Sequence, residues 1–408
     1  MFLILGCGFA FFVLSFNFYI MFLTIVVFII VLSIIVLVHE LGHFSTARKF
    51  GARVYEFGLG LPPRVFGVRK INGKFKMVWG RKEPEDGPTV YSLNLIPVGG
   101  FVKIKGENGE EGNDLDSFSS KPIWQRSIMI SAGVIMNVVL CAILLMFGFG
   151  IGMPAVVDES DSRAIISDKS IQIISVLPET NAKLAGIEVG DIIKGIDDKK
   201  FDSIVDINDY LDVNKGSQLR VSIDRKGEEM EKVIEVGKYT FNGEEFDGFG
   251  VSLIETAIVR YPWYLAIWKG MVATYVWLVT IVVAFATIIK NLVIGAPTGV
   301  EVAGPVGIAV LTGQAAKLGF VYILQFIALL SLNLAIINIL PLPALDGGRL
   351  LFLAIEKVRG KPVKQEWENV IHNVGFLLLM GLVVLVTFGD IMKYGGGAWE
   401  SIKGLFGL

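Results

Sequence analysis

The sequence predicts a polytopic α-helical membrane protein of about four transmembrane helices, with a membrane-associated β-hairpin sheet and an inserted α+β domain. Three observations carry this expectation. Hydrophobic residues make up 53% of the 408, well above a soluble globular chain. Runs of some twenty apolar residues recur, each long enough for a bilayer core of roughly 30 Å. Residues 155–260 break that pattern, with more charge, shorter apolar runs and frequent turn residues.

The first apolar run holds no charged residue from Met1 to Val38. As a helix it would be roughly 57 Å long, nearly two bilayer cores. Met21 lies about one span before His39, so 1–20 reads as a hydrophobic N-terminal extension, with Ser15 and Asn17 as a possible break. No basic segment precedes the run, as a secretory signal would require.

Residues 21–152 form a first membrane segment. Its middle carries Arg48, Lys49, Arg53, Arg64, Arg69, Lys70, Lys74, Lys76, Arg81 and Lys82, which places that side in the cytoplasm by the positive-inside rule. The stretches "VYEFGLGLPPRVFGV", "GKFKMVWG" and "TVYSLNLIPVGGFVKIKGE" alternate and break at glycine, the signature of hairpin strands. A second span follows near 127–152. The α+β domain is expected over 160–255, on the far side of the membrane, as strand, short helix, strand, helix and two strands.

Residues 262–295 are read as an interfacial or re-entrant helix that does not cross. The reason is parity. A span at 320–340 running inward brings Asp346 level with His39 and His43 only if 262–295 stays on the far side. The basic residues Arg349, Lys357, Arg359, Lys361 and Lys364 support that side assignment. Residues 318–392 then form a second membrane segment of two spans, and 393–408 a C-terminal tail.

The net charge of −2 and the lack of a basic stripe argue against nucleic acid. Cys7 and Cys141 both lie in apolar runs, which leaves no disulfide framework or cysteine-rich metal site. The chemistry lies in "HELGH", residues 39–43. Histidines at i and i+4 share a helix face and can direct both imidazoles at one zinc ion, Zn2+. Glu40, one step round the helix, is placed to act as general base on water. Ionisable groups beside a span are costly, by about 2.5–3.5 kcal/mol each, which favours a functional reading.

Catalytic zinc usually takes three protein ligands. "NILPLPALDGGRL" offers Asp346 as the leading candidate for the third, at the end of an apolar run and before a glycine pair. His372, the remaining histidine, reads as an ordinary interfacial residue.

Together, "HELGH" and "NILPLPALDGG" resemble the site-2 protease family of intramembrane zinc metalloproteases, with Asn338, Pro341, Pro343, Leu345, Asp346 and Gly347 meeting N-x-x-P-x-P-x-L-D-G. The likeness extends to "GGFVKIKGE", "AGIEVGDII" and "GPVGIA", over about residues 21–390, and is greatest to the bacterial regulator-of-sigma-E protease group. It implies a bacterial inner-membrane endopeptidase with its active site near the cytoplasmic side. The metal ligands would be His39, His43 and Asp346, with Glu40 as catalytic base. It implies substrate-handling roles for Asn137 and Asn338. Substrates would be single-span membrane proteins such as anti-sigma factors or remnant signal peptides. Gly99 and Gly100 mark a strand suited to receive an unwound substrate backbone.

"NAKLAGIEVGDIIKGIDD" resembles a PDZ domain, a module that takes peptide ends by strand addition. Close relatives often carry two copies, whereas 155–260 has room for one. Two other readings stay open: a prenyl-protein-type membrane metalloprotease, which takes a glutamate as third ligand, and an inactive PDZ membrane scaffold.

Overall fold

The computed structural model describes residues 2–80, 87–107, 114–156, 161–177, 180–225, 227–241, 244–295 and 303–406. The chain divides into two compact units, Met1–Met146 with Gly270–Leu408, and Phe147–Lys269.

The first unit opens with α1 (Phe2–Lys49), which runs through Ser15 and Asn17 without interruption. No proline falls within it, and Arg48 and Lys49 complement the dipole at its last turn. Strands β1 (Val54–Ile71), β2 (Lys74–Trp79) and β3 (Val90–Ile104) form an antiparallel sheet in the order β2-β1-β3. Asn72 and Gly73, with φ of 49° and 80°, make the tight turn between β1 and β2. Helix α2 (Ile123–Ile151) starts directly after Pro122 and crosses α1 at close range. At that crossing Gly42 lies against the Ala132 carbonyl with no room for a β-carbon.

The second unit follows the expected order and adds to it. Its six-stranded sheet, β4-β11-β5-β6-β7-β8, takes in β4 (Met153–Val156), β5 (Ile165–Val176), β6 (Ile192–Ile196), β7 (Gln218–Arg225), β8 (Glu228–Glu235) and β11 (Val251–Arg260). Helices α3 (Asn181–Leu184) and α4 (Ile204–Val213) and a hairpin of β9 (Gly237–Phe241) and β10 (Glu244–Gly248) complete it. Alternate residues of β5, β6 and β7, among them Ile171, Ile173, Ile193, Val221 and Ile223, meet Ile207 of α4 in its core. The sheet reaches beyond 160–255 at both ends, because β4 and the end of β11 pair with each other.

Helix α5 (Trp263–Ile294) covers the stretch expected to be interfacial or re-entrant as one unbroken helix. Trp268, Met271, Val272, Tyr275, Val276 and Val279 form an exposed apolar stripe at i, i+3, i+4 spacing, while Ala266 and Thr274 on the opposite face are buried. Then come α6 (Pro305–Leu318), α7 (Phe320–Ile339), α8 (Asp346–Arg359) and α9 (Gln365–Phe406), the last continuing through most of the stretch read as a tail. Among the described residues five helices are long and apolar enough to cross a membrane: Phe22–Lys49, Ile123–Ile151, Trp263–Ile294, Phe320–Ile339 and Gln365–Lys393. That is one more than expected.

Val31 and Ile35 of α1, Leu140 and Leu144 of α2, and Ile323 and Ile327 of α7 pack together as one apolar layer. That layer fixes α7 against α1, so that the chain leaving α7 arrives beside His39 and His43.

Candidate metal centre

His39 and His43 lie one turn apart on α1, with their Nε2 atoms 3.1 Å from each other. Asp346, the first residue of α8, places Oδ2 3.1 Å from His39 Nε2 and 3.4 Å from His43 Nε2. One ligand atom from each residue falls within a 4.8 Å cluster. The structure thus brings together residues separated by some three hundred positions.

The donor set fits a divalent cation. His43 Nδ1 is 2.8 Å from the Met129 carbonyl. A carbonyl only accepts, so the ring proton sits on Nδ1 and the Nε2 lone pair faces Asp346. On the other ring, Asn137 Nδ2 stands 3.4 Å from His39 Nδ1, while Asn137 Oδ1 is buried without a partner. Rotating that amide by half a turn lets Oδ1 accept the Nδ1 proton. His39 then also turns an Nε2 lone pair to the cluster. Asp346 Oδ2 is buried with no hydrogen-bond donor of its own. Two lone pairs and a carboxylate oxygen converging with no proton between them are what zinc would neutralise.

Close backbone approaches set this geometry. A β-carbon on Gly133 of α2 would overlap His43 Nε2 and come within 2.8 Å of His39 Nε2. Behind Asp346, Gly347 packs on the carbonyls of Ile339 and Leu340, and Gly348 on that of Leu342. The "DGG" pair therefore supplies the tight passage that the sequence suggested.

Glu40 lines a cavity of about 640 Å³ with His39, His43, Phe101, Asp346 and Arg349. Gly99 and Gly100 reach the same region. Gly99 takes a left-handed φ of +77°, and its β-carbon position lies 3.6 Å from Val36. That of Gly100 lies 3.7 Å from Glu40 Cγ. Asn338 is half-buried near the end of α7 and does not line the cavity.

Sequence reasoning missed Gly133, the Met129 carbonyl, the Arg349–Glu107 ion pair at the cavity wall, and the place of His372, which lines the same cavity. Gly133 had one signal available, its spacing of four residues from Asn137 on one helix face.

A helix-borne His-Glu-x-x-His pair completed by a distant aspartate, on a framework of apolar helices, defines a membrane zinc metallopeptidase. The chain belongs to peptidase family M50, whose sequence profile matches residues 27–382. A protein of Clostridium perfringens described as a zinc metalloprotease is 34% identical, over 87% of this chain and 95% of its own length. Zinc metalloprotease RasP of Geobacillus kaustophilus is 30% identical over 87% and 94%. Regulator of sigma-W protease RasP of Bacillus subtilis is 29% identical over 87% and 95%. Among solved structures, the PDZ domain of the SdrC-like protein of Listeria monocytogenes matches 22% of this chain and 92% of its own, at 21% identity and a TM-score of 0.20.

Proposed function

We propose that this zinc metallopeptidase cleaves the transmembrane segments of single-span membrane proteins, with His39, His43 and Asp346 as metal ligands and Glu40 as general base. The observation that carries the reading is the convergence of Asp346 Oδ2 on both imidazoles. A zinc ion bound there supplies Lewis acidity, polarising the scissile carbonyl and making water nucleophilic near neutral pH. Glu40 takes the proton from the attacking water and delivers it to the leaving amide nitrogen. Met129 and Asn137 hold the two rings in the ligating tautomer.

A helical substrate must unwind before a protease can reach its backbone, and the exposed amides then need partners. Strand β3 lies at the edge of its sheet, with Gly99 and Gly100 beside Glu40. It can take the unwound segment as an added strand. The basic residues between α1 and α2 support an orientation with the site near the cytoplasmic side of a bacterial inner membrane and the PDZ domain extracytoplasmic. We read the unit Phe147–Lys269 as that domain. Among the described residues, β11 pairs with β4 along Thr256–Val259 and no strand pairs with Val251–Glu255 on that edge, a stretch suited to take a peptide end. The sigma-W role in a relative's name makes anti-sigma factors a substrate class to examine first, alongside remnant signal peptides.

Comparative proteomics of membranes holding wild type or Glu40→Gln tests the reading. Single-span fragments should accumulate only with the variant. Identical membrane proteomes would count against it.

A further inference from the structure

His372 stands on α9, far from the two histidines of α1 in sequence, yet it touches the turn that carries Asp346. Its Nδ1 accepts a hydrogen bond of 2.9 Å from the Ala344 backbone N–H. Ala344 has φ of 73°, the left-handed region. A non-glycine residue held there is strained and persists only where its surroundings over-determine it. One α9 face does so. Gly375, one turn beyond His372, packs on Pro343 with no space for a β-carbon. A β-carbon on Gly348 would lie 3.3 Å from His372 Cε1, and Phe352 sits against the ring at 5.5 Å between centroids.

We propose that His372 is a positioning residue for the metal centre: by accepting from Ala344 N–H it locks the 340–346 turn so that Asp346 Oδ2 faces His39 and His43. This rests on the reading of those three residues as metal ligands. The hydrogen bond also fixes the ring's tautomer. With Nδ1 accepting, the proton sits on Nε2, which is buried without a partner. A buried donor left unpaired carries a desolvation cost. Phenylalanine would fill the space without that cost, so packing alone gives no reason for a histidine. The reason is its Nδ1.

The test uses the full-length protein in detergent, with zinc affinity from chelator competition and the visible spectrum of the cobalt-substituted form. His372→Phe keeps the ring but not the acceptor and should weaken zinc by about 10–100-fold, the range for outer-shell partners of metal ligands, with an altered cobalt spectrum. His372→Asn sets an amide oxygen near the Nδ1 position and should restore both readouts. Should the Phe variant fail to fold, His372→Gln replaces it, because its amide reaches the Nε2 position instead, and the same loss is expected. A folded Phe or Gln variant with wild-type zinc affinity and spectrum, changed only in melting temperature, overturns the proposal alone. A wild-type protein that binds no zinc overturns the ligand assignment, and this proposal with it.

Discussion

Gly133 on α2 lies so close to His43 on α1 that a β-carbon there would overlap the imidazole Nε2. The neighbour is a ring held by the Met129 carbonyl on one side and Asp346 on the other, so it has little freedom to withdraw. Gly133→Ala should shift one or both imidazoles and lower peptidase activity by about 100-fold, the scale of a 1 Å misplacement. Folding should survive, because α2 keeps its other contacts. Activity on a single-span reporter together with a melting curve checks this. Unchanged activity would mean that the rings are not held where the contact puts them.

Glu40 and the three proposed ligands should separate cleanly. Glu40→Gln removes the base and should cost about 100–10,000-fold in rate while the variant still binds zinc. Asp346→Ala should lose activity and zinc together. Elemental analysis beside an activity assay distinguishes these patterns. Zinc loss in Glu40→Gln would place that residue among the ligands.

Arg126 at the start of α2 and Glu356 on α8 form a part-buried ion pair, with Nη1 3.0 Å from Oε2 and the side chains 13% and 15% exposed. Removing one partner leaves a largely desolvated charge unmatched, at a cost of no more than the about 3–5 kcal/mol of a fully buried pair. Arg126→Met should therefore destabilise the unit strongly, and adding Glu356→Leu should recover part of the loss. Denaturation of the two variants in detergent measures both steps. Equal stability of single and double variants would contradict the pairing.

In the second unit, Asp191 is 1% exposed and bonds Arg225 Nε at 2.7 Å. Burial by itself raises the carboxyl's pKa, but hydrogen bonds from Arg225 and from the Glu188 backbone N–H outweigh it, and the net shift is downward. A lowered folded-state pKa contributes stability that is present above the unfolded-state value and is lost as pH falls through the folded-state value. Protection factors of the β7 amides, corrected for the intrinsic pH dependence of exchange, should fall in acid, and Asp191→Asn should flatten that dependence. An acid response of the same size in the variant would refute the link.

The parts of the site readable in sequence were those with local periodicity. The i, i+4 spacing of His39 and His43 and the placement of "LDGG" at the end of an apolar run exist before any tertiary contact forms. Gly133, His372 and the Arg349–Glu107 pair matter only through contacts between distant elements, which no local pattern records. For α5, charge counting and hydropathy point to different courses: parity keeps it on one side, while its length and apolar composition make it a candidate span. In the second unit, alternation in β5 to β8 was legible, but β4 and the end of β11 lie at the unit's margins and declare themselves only by pairing.

X-ray absorption at the zinc edge of the purified protein tests the central claim most directly. The account predicts one zinc per chain with two imidazole nitrogens and a carboxylate oxygen in its shell at about 2.0–2.2 Å, and loss of that signal in Asp346→Ala. A protein without stoichiometric zinc, or a zinc shell unchanged by that substitution, would contradict it.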